Sequence, residues 1–219
     1  GAPMDYDAVI IGSGFGGSVA ALRSTEKGHR VAVLEQGRRL SNADKEQADN
    51  GSSHLFWMPS LGFKKGFFFQ RFFRHATIVG GVGVGGGSQV YAAVLLEPRS
   101  EFYEDPAWNQ LGVDWRSELK PHFSRAATML GCTPAPKFFQ MDEWLKETAT
   151  AVSAGDTFLP APLGIYFGEE GVSQVDPFFN GQGPARTGCI QCGACLTGCS
   201  HDAKNSLDLN YLHLAEGLG

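Results

Sequence analysis

The chain has 219 residues, of which 42% are hydrophobic and 19% are charged, and its formal net charge is −5. This is the composition of a globular protein with one large or two small domains, and its acidity argues against nucleic-acid binding. No apolar run approaches the ~20 residues needed to span a bilayer, and no signal peptide is recognisable. We therefore expect a cytoplasmic protein whose five cysteines are reduced thiols or metal ligands.

The first 35 residues predict a strand, a glycine-rich turn, a helix and a second strand. Residues 5–12 form a short apolar run that ends in a glycine, residues 13–28 continue as a helix, and residues 30–35 form another buried strand. This order is a βαβ unit, which belongs to a parallel sheet. The predicted fold class is α/β, a Rossmann-like domain with loop-rich excursions.

The glycine-rich turn matches the pattern G-x-G-x-x-G of dinucleotide-binding loops. Gly12 allows a tight turn, Gly14 lets the backbone approach a pyrophosphate, and Gly17 lets the helix pack closely on the strand. The N-terminus of the helix offers unpaired N–H groups and a partial positive charge to phosphates. Glu35, which follows Gly17 by 18 positions, is expected to accept hydrogen bonds from ribose hydroxyls.

A phenylalanine-rich and basic stretch follows at residues 63–74, after a polar segment at 41–53 that predicts a loop or a short helix. We interpret the phenylalanines as packing of a long excursion against the sheet, because apolar residues are usually buried. The alternative is a loop that faces lipid or admits substrate, and this leaves open a peripheral contact with a membrane.

A second glycine loop follows a short predicted strand at residues 76–79. Residues 80–88 contain six glycines in nine positions. So much backbone without side chains implies close approach to something large and flat or anionic. An enzyme that binds only NAD has no obvious use for a second such loop, so the pair of loops favours FAD.

The rest of the chain predicts helices separated by long loops. We divide the chain into a cofactor-binding segment at 4–112, a helical and loop excursion towards a substrate domain at 113–185, and a cysteine cluster with a return helix at 186–219. The first predicted helix spans residues 114–130, with Asp114 as its N-cap candidate and a break or kink at Pro121. The other predicted helices span residues 141–152 and 206–216, and residues 155–188 are predicted to be mostly loop.

Two stretches of the sequence together resemble the glucose–methanol–choline oxidoreductases, and within them the bacterial cholesterol oxidase branch. They are DYDAVIIGSGFGGSVAALRSTEKGHRVAVLEQGRR at 5–39 and GVGVGGGSQVYAAVLLEPRSEFYED at 81–105, and AKNSLDLNYL at 203–212 resembles a third family segment. The resemblance runs through essentially the whole chain. It implies the N-terminal portion of an FAD-dependent enzyme.

The resemblance also implies positions for the cofactor. Phe15 and Gly16 would line the pyrophosphate, and Glu35 would bind the adenosine ribose. Tyr91 stands near the position where some relatives tether a histidine to the flavin, so we expect FAD to be bound non-covalently. The flavin side would be formed by Gly83, Gly86, Gly87 and Ser88.

The family transfers a hydride from an alcohol carbon to the flavin, so the resemblance implies an enzyme that oxidises a bulky alcohol, with a sterol as the first candidate. The electron acceptor is oxygen or a redox carrier. In the family the catalytic histidine lies far towards the C-terminus, in proteins more than twice this length. We therefore assign no catalytic residue here and expect this fragment alone to be inactive. A truncated, non-catalytic FAD-binding module is a further alternative.

Four cysteines follow at the spacing C-x2-C-x2-C-x3-C. Cys189, Cys192, Cys195 and Cys199 match the spacing of a bacterial ferredoxin cluster, although Ser200 replaces the usual proline. An iron–sulfur cluster is the leading interpretation, and zinc, disulfides and plain thiols remain alternatives. A cluster would favour a dehydrogenase that passes electrons from the flavin to a carrier.

Overall fold

The structure is a computed structural model that describes residues 5–48 and 51–219. The fold begins with a parallel βαβ unit. Strand β1 (Ala8–Ile11) pairs with β2 (Val31–Leu34) in parallel, and α1 (Phe15–Thr25) connects them. The helix ends before Gly28, which has a φ of +83°, a backbone conformation that glycine adopts readily. The predicted α/β class and its βαβ start are confirmed, with shorter elements than the sequence indicated.

The chain forms two compact units. The first comprises Gly1–Ala93 with Tyr166–Gly219, and the second comprises Val94–Ile165. From the sequence we predicted two consecutive segments at 113–185 and 186–219. In the structure, the residues from Tyr166 onwards belong to the first unit. Besides the βαβ unit, the first unit contains α2 (Asn42–Gln47), α3 (Ser52–Leu55), β3 (Phe68–Phe72), β4 (Thr77–Gly81), β7 (Ser173–Gln174), β8 (Arg186–Thr187) and α8 (Tyr211–Gly217).

The core of the βαβ unit lies along α1. Ala21 and Leu22 of this helix are 2% exposed, and the helix packs against α8, whose Tyr211, Leu212 and Ala215 are also buried. Helix α8 begins later than predicted, because Leu207–Leu209 form a 3₁₀ turn and the side chain of Asn210 caps the helix. The 3₁₀ turn bonds to the region of the second glycine loop, since the N–H of Leu207 donates to the hydroxyl of Ser88 at 3.0 Å and the side-chain amide of Gln89 donates to the carboxylate of Asp208 at 2.7 Å.

The phenylalanine-rich stretch divides between core and solvent. Strands β3 and β4 form an antiparallel hairpin, and Phe67, just before it, is fully buried with Leu40 and Ala48. Towards the tip of the hairpin, Phe72 is 74% exposed and Phe73 is 57% exposed. The packing interpretation therefore holds for the first half of the stretch, and the second half faces solvent.

The second unit is mainly helical. Helix α6 is continuous through Pro121, so no break occurs there. Proline removes the hydrogen bond to the carbonyl of Ser117, and Ser117 lies on the exposed part of the helix, where water can supply the missing bond. The N-cap prediction for α6 is confirmed, since the carboxylate of Asp114 accepts from the backbone N–H of Ser117 at 3.2 Å. The elements are α4 (Ser100–Glu104), α5 (Pro106–Asn109), α6 (Trp115–Met129), β5 (Cys132–Pro134), α7 (Gln140–Ala151) and β6 (Pro162–Gly164), with β5 and β6 antiparallel.

None of the helices in the described ranges combines the length and the apolar character needed to cross a bilayer.

Candidate dinucleotide-binding site

The first glycine loop joins β1 to α1 and leaves open space on one side. Gly12 has a φ of +91°, and its N–H donates to the carbonyl of Leu34 at 2.7 Å. A Cβ atom at Gly12, Gly14 or Gly16 would meet nothing within 4 Å. The loop therefore presents bare backbone to a space that a phosphate group can enter.

Gly17, unlike Gly12, Gly14 and Gly16, has no space for a side chain. A Cβ atom there would overlap the carbonyl oxygen of Gly12 and lie 3.2 Å from a methyl group of Ile10. The first turn of α1 thus lies directly on the strand that precedes it. Gly14 is the N-cap residue and has no side chain to cap the helix, so the first N–H groups of α1 remain available to a ligand.

Glu35 binds the first glycine loop from the end of β2. One carboxylate oxygen accepts from the N–H and the hydroxyl of Ser13, at 3.0 and 2.7 Å, and the other accepts from the N–H of Gly37 at 2.9 Å. Partial burial alone would raise the pKa of Glu35, but these hydrogen bonds lower it below its ordinary value. Glu35 is also one of the residues that line an open cavity of about 500 Å³.

The second glycine loop lies against the first one. The hydroxyl of Ser13 accepts from the N–H of Gly85 at 3.1 Å. A Cβ atom at Gly86, where φ is +52°, would lie 2.9 Å from the Cα of Gly14. The rings of Phe15 and Tyr91 meet edge to face with centroids 6.1 Å apart. The structure therefore brings the two glycine motifs together, although they are about 70 residues apart in the sequence.

The hydroxyl groups of Ser88 and Tyr91 form hydrogen bonds within the protein. The buried hydroxyl of Ser88 donates to the carbonyl of Gly85 at 2.7 Å and accepts from the N–H of Leu207 at 3.0 Å. The hydroxyl of Tyr91 donates to the carbonyl of Asn205 at 2.8 Å. Both side chains therefore hold the loop in place. Of the other residues predicted on the flavin side, Gly83 has a φ of +142°, and a Cβ at Gly87 would lie 3.7 Å from the ring of Phe15.

Sequence reasoning missed three residues that position these loops. Ser13 occupies a variable position of the glycine motif, and only its contacts reveal that it joins both loops and Glu35. Lys204 and Arg186 are 2% and 1% exposed. A charged residue is normally expected at the surface, so no sequence signal indicated their burial.

The cysteine cluster is not arranged as a metal site. Among the described residues, no group of three or more His, Cys, Asp or Glu side chains is placed to hold a metal ion. All the cysteines are free thiols; Cys192 is exposed, whereas Cys189, Cys195 and Cys199 are partly buried. Burial raises the pKa of the Cys189 and Cys195 thiols. The predicted iron–sulfur cluster is not supported, because the spacing constrains only the separation along the chain.

Comparisons with known proteins agree with this geometry. Residues 10–72 match the model of the NAD(P)-binding Rossmann-like domain. The chain is 48% identical over 222 aligned residues to a cholesterol oxidase of Mycobacterium tuberculosis strain H37Rv, an alignment that covers 98% of this chain and 38% of that protein. A cholesterol oxidase of Acinetobacter baumannii is 46% identical, with 98% of this chain and 39% of that protein covered.

These matches confirm the resemblance that the two glycine motifs carried. The chain spans less than two fifths of the length of these relatives. It fits an N-terminal portion of a glucose–methanol–choline oxidoreductase, built on a Rossmann-like dinucleotide-binding domain.

Proposed function

We propose, from the premise that this chain is homologous to the N-terminal part of the cholesterol oxidases, that it binds FAD non-covalently across its two glycine loops. It would form the cofactor-binding part of an oxidoreductase that acts on the CH–OH group of a bulky alcohol. When bound, FAD supplies a hydride acceptor for the alcohol carbon. The residues that handle the hydroxyl proton would lie in parts of such an enzyme that this chain does not include.

The observation that carries this proposal is the contact between the two loops. Gly14 and Gly86 meet backbone to backbone, and Ser13 bonds to Glu35 and to Gly85. The first loop by itself serves the pyrophosphate of a dinucleotide, and the second loop offers bare backbone at another point of the same site, where we place the flavin. Two bare loops joined at one point offer backbone to both parts.

Within this site each group has a distinct task. The N-terminus of α1 would bind the pyrophosphate through backbone N–H groups. Glu35 would accept hydrogen bonds from the ribose, since each carboxylate oxygen has more than one lone pair. Position 91 is a tyrosine whose hydroxyl donates to the carbonyl of Asn205. A tyrosine with this bond, in place of a histidine, supports non-covalent rather than tethered flavin. The Glu35 assignment remains a prediction from the glycine motif and from the resemblance, and the Tyr91 assignment remains a prediction from the resemblance.

A fluorescence titration of the purified chain with FAD tests this proposal, with NAD⁺ titrated in parallel. We expect saturable binding of FAD that is tighter than binding of NAD⁺. The variant Gly14→Ala should weaken FAD binding by about tenfold or more, because its methyl group fills the space in front of the loop. Gly217→Ala is the matched control, since a Cβ atom there also meets nothing within 4 Å. Equal effects of the two substitutions would contradict the proposed site.

We further propose that the substrate is a sterol and that the hairpin of β3 and β4 contacts the lipid surface that contains it. The exposed rings of Phe72 and Phe73 stand beside the exposed cations Arg71 and Arg74. Aromatic rings that enter a membrane interface and cations that attract anionic lipid form a recurrent combination in peripheral proteins.

Sedimentation with vesicles tests the role of the hairpin. Binding to vesicles of phosphatidylcholine with phosphatidylserine should exceed binding to phosphatidylcholine alone. The double variant Phe72→Ser with Phe73→Ser should lose this binding, whereas Val175→Ser, which removes another side chain that is 80% exposed, should keep it. Equal binding by all three proteins would remove the hairpin from the proposal.

Oxygen is the electron acceptor that we propose, because the relatives are oxidases by name. The test compares hydrogen peroxide formation with reduction of an artificial dye, in a longer protein that contains this chain. Peroxide formed in step with sterol oxidation supports an oxidase. Turnover that requires the dye would indicate a dehydrogenase instead.

A further inference from the structure

Lys204 is a buried cation that bonds to two separate segments of the first unit. Its ammonium group donates to the carbonyls of Gln89 and Tyr91 at 2.8 and 3.2 Å, and to the carbonyl of Cys195 at 2.7 Å. These bonds use all three of its donors. The first two carbonyls lie directly after the second glycine loop, which ends at residue 88, and the third belongs to residues 189–199, which we call the cysteine segment.

The contacts around Lys204 compensate for the burial of its charge. The ammonium lies 5.1 Å from the centroid of the Tyr91 ring, a cation–π arrangement. Burial lowers the pKa of Lys204 to about 8, so it remains charged at neutral pH. A buried charge is costly to retain unless its hydrogen bonds are complete, and here they are.

Arg186 fixes the backbone that carries Lys204. Its guanidinium donates to the carbonyls of Asp202, Ala203 and Lys204 at 2.6, 3.1 and 2.9 Å, and to the side-chain oxygen of Asn205 at 2.6 Å. The hydroxyl of Tyr91 donates to the carbonyl of Asn205. The backbone on both sides of Lys204 is therefore held by hydrogen bonds, and a movement of either bonded segment away from Lys204 must break bonds to its ammonium group.

We propose that Lys204 is a positioning residue that couples the cysteine segment to the second glycine loop, so that opening of one loosens the other and weakens FAD binding. The effect on FAD rests on the proposed function, whereas the coupling between the two segments does not. By linkage, FAD bound at the loop would protect the cysteine segment by the same factor by which opening of that segment weakens FAD binding.

Hydrogen exchange measured by mass spectrometry tests the coupling in the chain without added FAD. In Lys204→Met, amides of residues 83–91 and of the cysteine segment should both exchange about tenfold faster or more, while α1 stays protected. Lys27→Met, which removes an exposed lysine, is the matched control and should change neither segment. Faster exchange in one segment alone, or in neither, would overturn the coupling.

Addition of FAD then separates positioning from simple stabilisation. In the wild-type chain FAD should slow alkylation of Cys195 by iodoacetamide, within the 5- to 150-fold range (about 1–3 kcal/mol) of typical couplings. In Lys204→Met that dependence on FAD should disappear, and Lys204→Arg, which keeps a cation with several donors, should restore part of it. Alkylation that still depends on FAD in Lys204→Met would overturn the proposal.

Two further outcomes have separate meanings. A wild-type chain that does not bind FAD contradicts the proposed function, and hydrogen exchange still decides the coupling. Should Lys204→Met fail to fold, Lys204→Arg and Lys204→Gln are compared by hydrogen exchange. The proposal then requires that the two segments change together in each variant, and independent changes would overturn it.

Discussion

The hydroxyl of Ser13 lies 2.7 Å from a carboxylate oxygen of Glu35 and joins the first glycine loop to the end of the second strand. The same hydroxyl accepts the N–H of Gly85 from the second glycine loop at 3.1 Å. Ser13 is only 2% exposed. One buried hydroxyl therefore connects the three segments that form the candidate dinucleotide site.

Replacement of Ser13 by alanine should destabilise the first unit by about 1–3 kcal/mol, because it leaves the buried N–H of Gly85 without its acceptor. The free energy of unfolding in urea measures this loss. Ser18→Ala is the control, since Ser18 is also fully buried but its hydroxyl bonds only to the carbonyl of Phe15 within the same turn. A loss no larger than in Ser18→Ala would show that the bridge contributes little.

The contribution of Glu35 should depend on pH. Its pKa is lowered in the folded chain from an ordinary value of 4.5, so the folded state favours the carboxylate. The resulting stabilisation is fully present above pH 4.5 and is lost as the pH falls through the lower folded pKa. The difference in unfolding free energy between the wild type and Glu35→Gln should therefore be constant near neutral pH and shrink below pH 4.5. A difference that grows on acidification would contradict the hydrogen bonds described for Glu35.

The two glycines at the start of the 3₁₀ turn in the second loop should respond differently to substitution. Gly86→Ala places a methyl group 2.9 Å from the Cα of Gly14 and at a φ of +52°, and we expect a loss of about 2 kcal/mol or more. In Gly87→Ala the methyl group lies 3.7 Å from the ring of Phe15, an ordinary contact. Its loss should stay below about 1 kcal/mol. Thermal unfolding of both variants measures the contrast, and a similar shift in both would count against the loop contact.

Gly16 and Gly17 should separate cofactor binding from stability. Gly17→Ala overlaps the carbonyl of Gly12, so we expect the unfolding free energy to fall by about 1–3 kcal/mol. Gly16→Ala meets no atom within 4 Å and should leave the stability unchanged or raise it by up to about 1 kcal/mol, because alanine favours a helix. The same variant should bind FAD more weakly, as measured by titration. Unaltered FAD affinity in Gly16→Ala would place the pyrophosphate elsewhere.

Local patterns predicted the elements well where a single period or motif decides them. The βαβ unit, the helix that Asp114 caps and the helix near residues 140–151 follow from apolar periodicity and capping residues. The break at Pro121 is the exception, since an exposed turn tolerates a missing hydrogen bond. The late start of α8 is another, because the 3₁₀ turn before it is held by contacts with the second glycine loop.

The sequence by itself determined the α/β class, the dinucleotide loop and the family resemblance, because these depend on spacings within about 35 residues. Only the tertiary structure decided that Ser13 bridges two loops and that Phe72 is exposed while Phe67 is buried. The tertiary structure further decided that, within the described residues, the four cysteines are not brought together in a metal-binding arrangement. It also decided that Lys204 is buried between the second glycine loop and the cysteine segment. The physical reason is that burial, pKa and hydrogen-bond partners depend on residues far apart in the chain, such as Lys204 and Gln89. The spacing of residues within one segment does not specify which distant residues will meet.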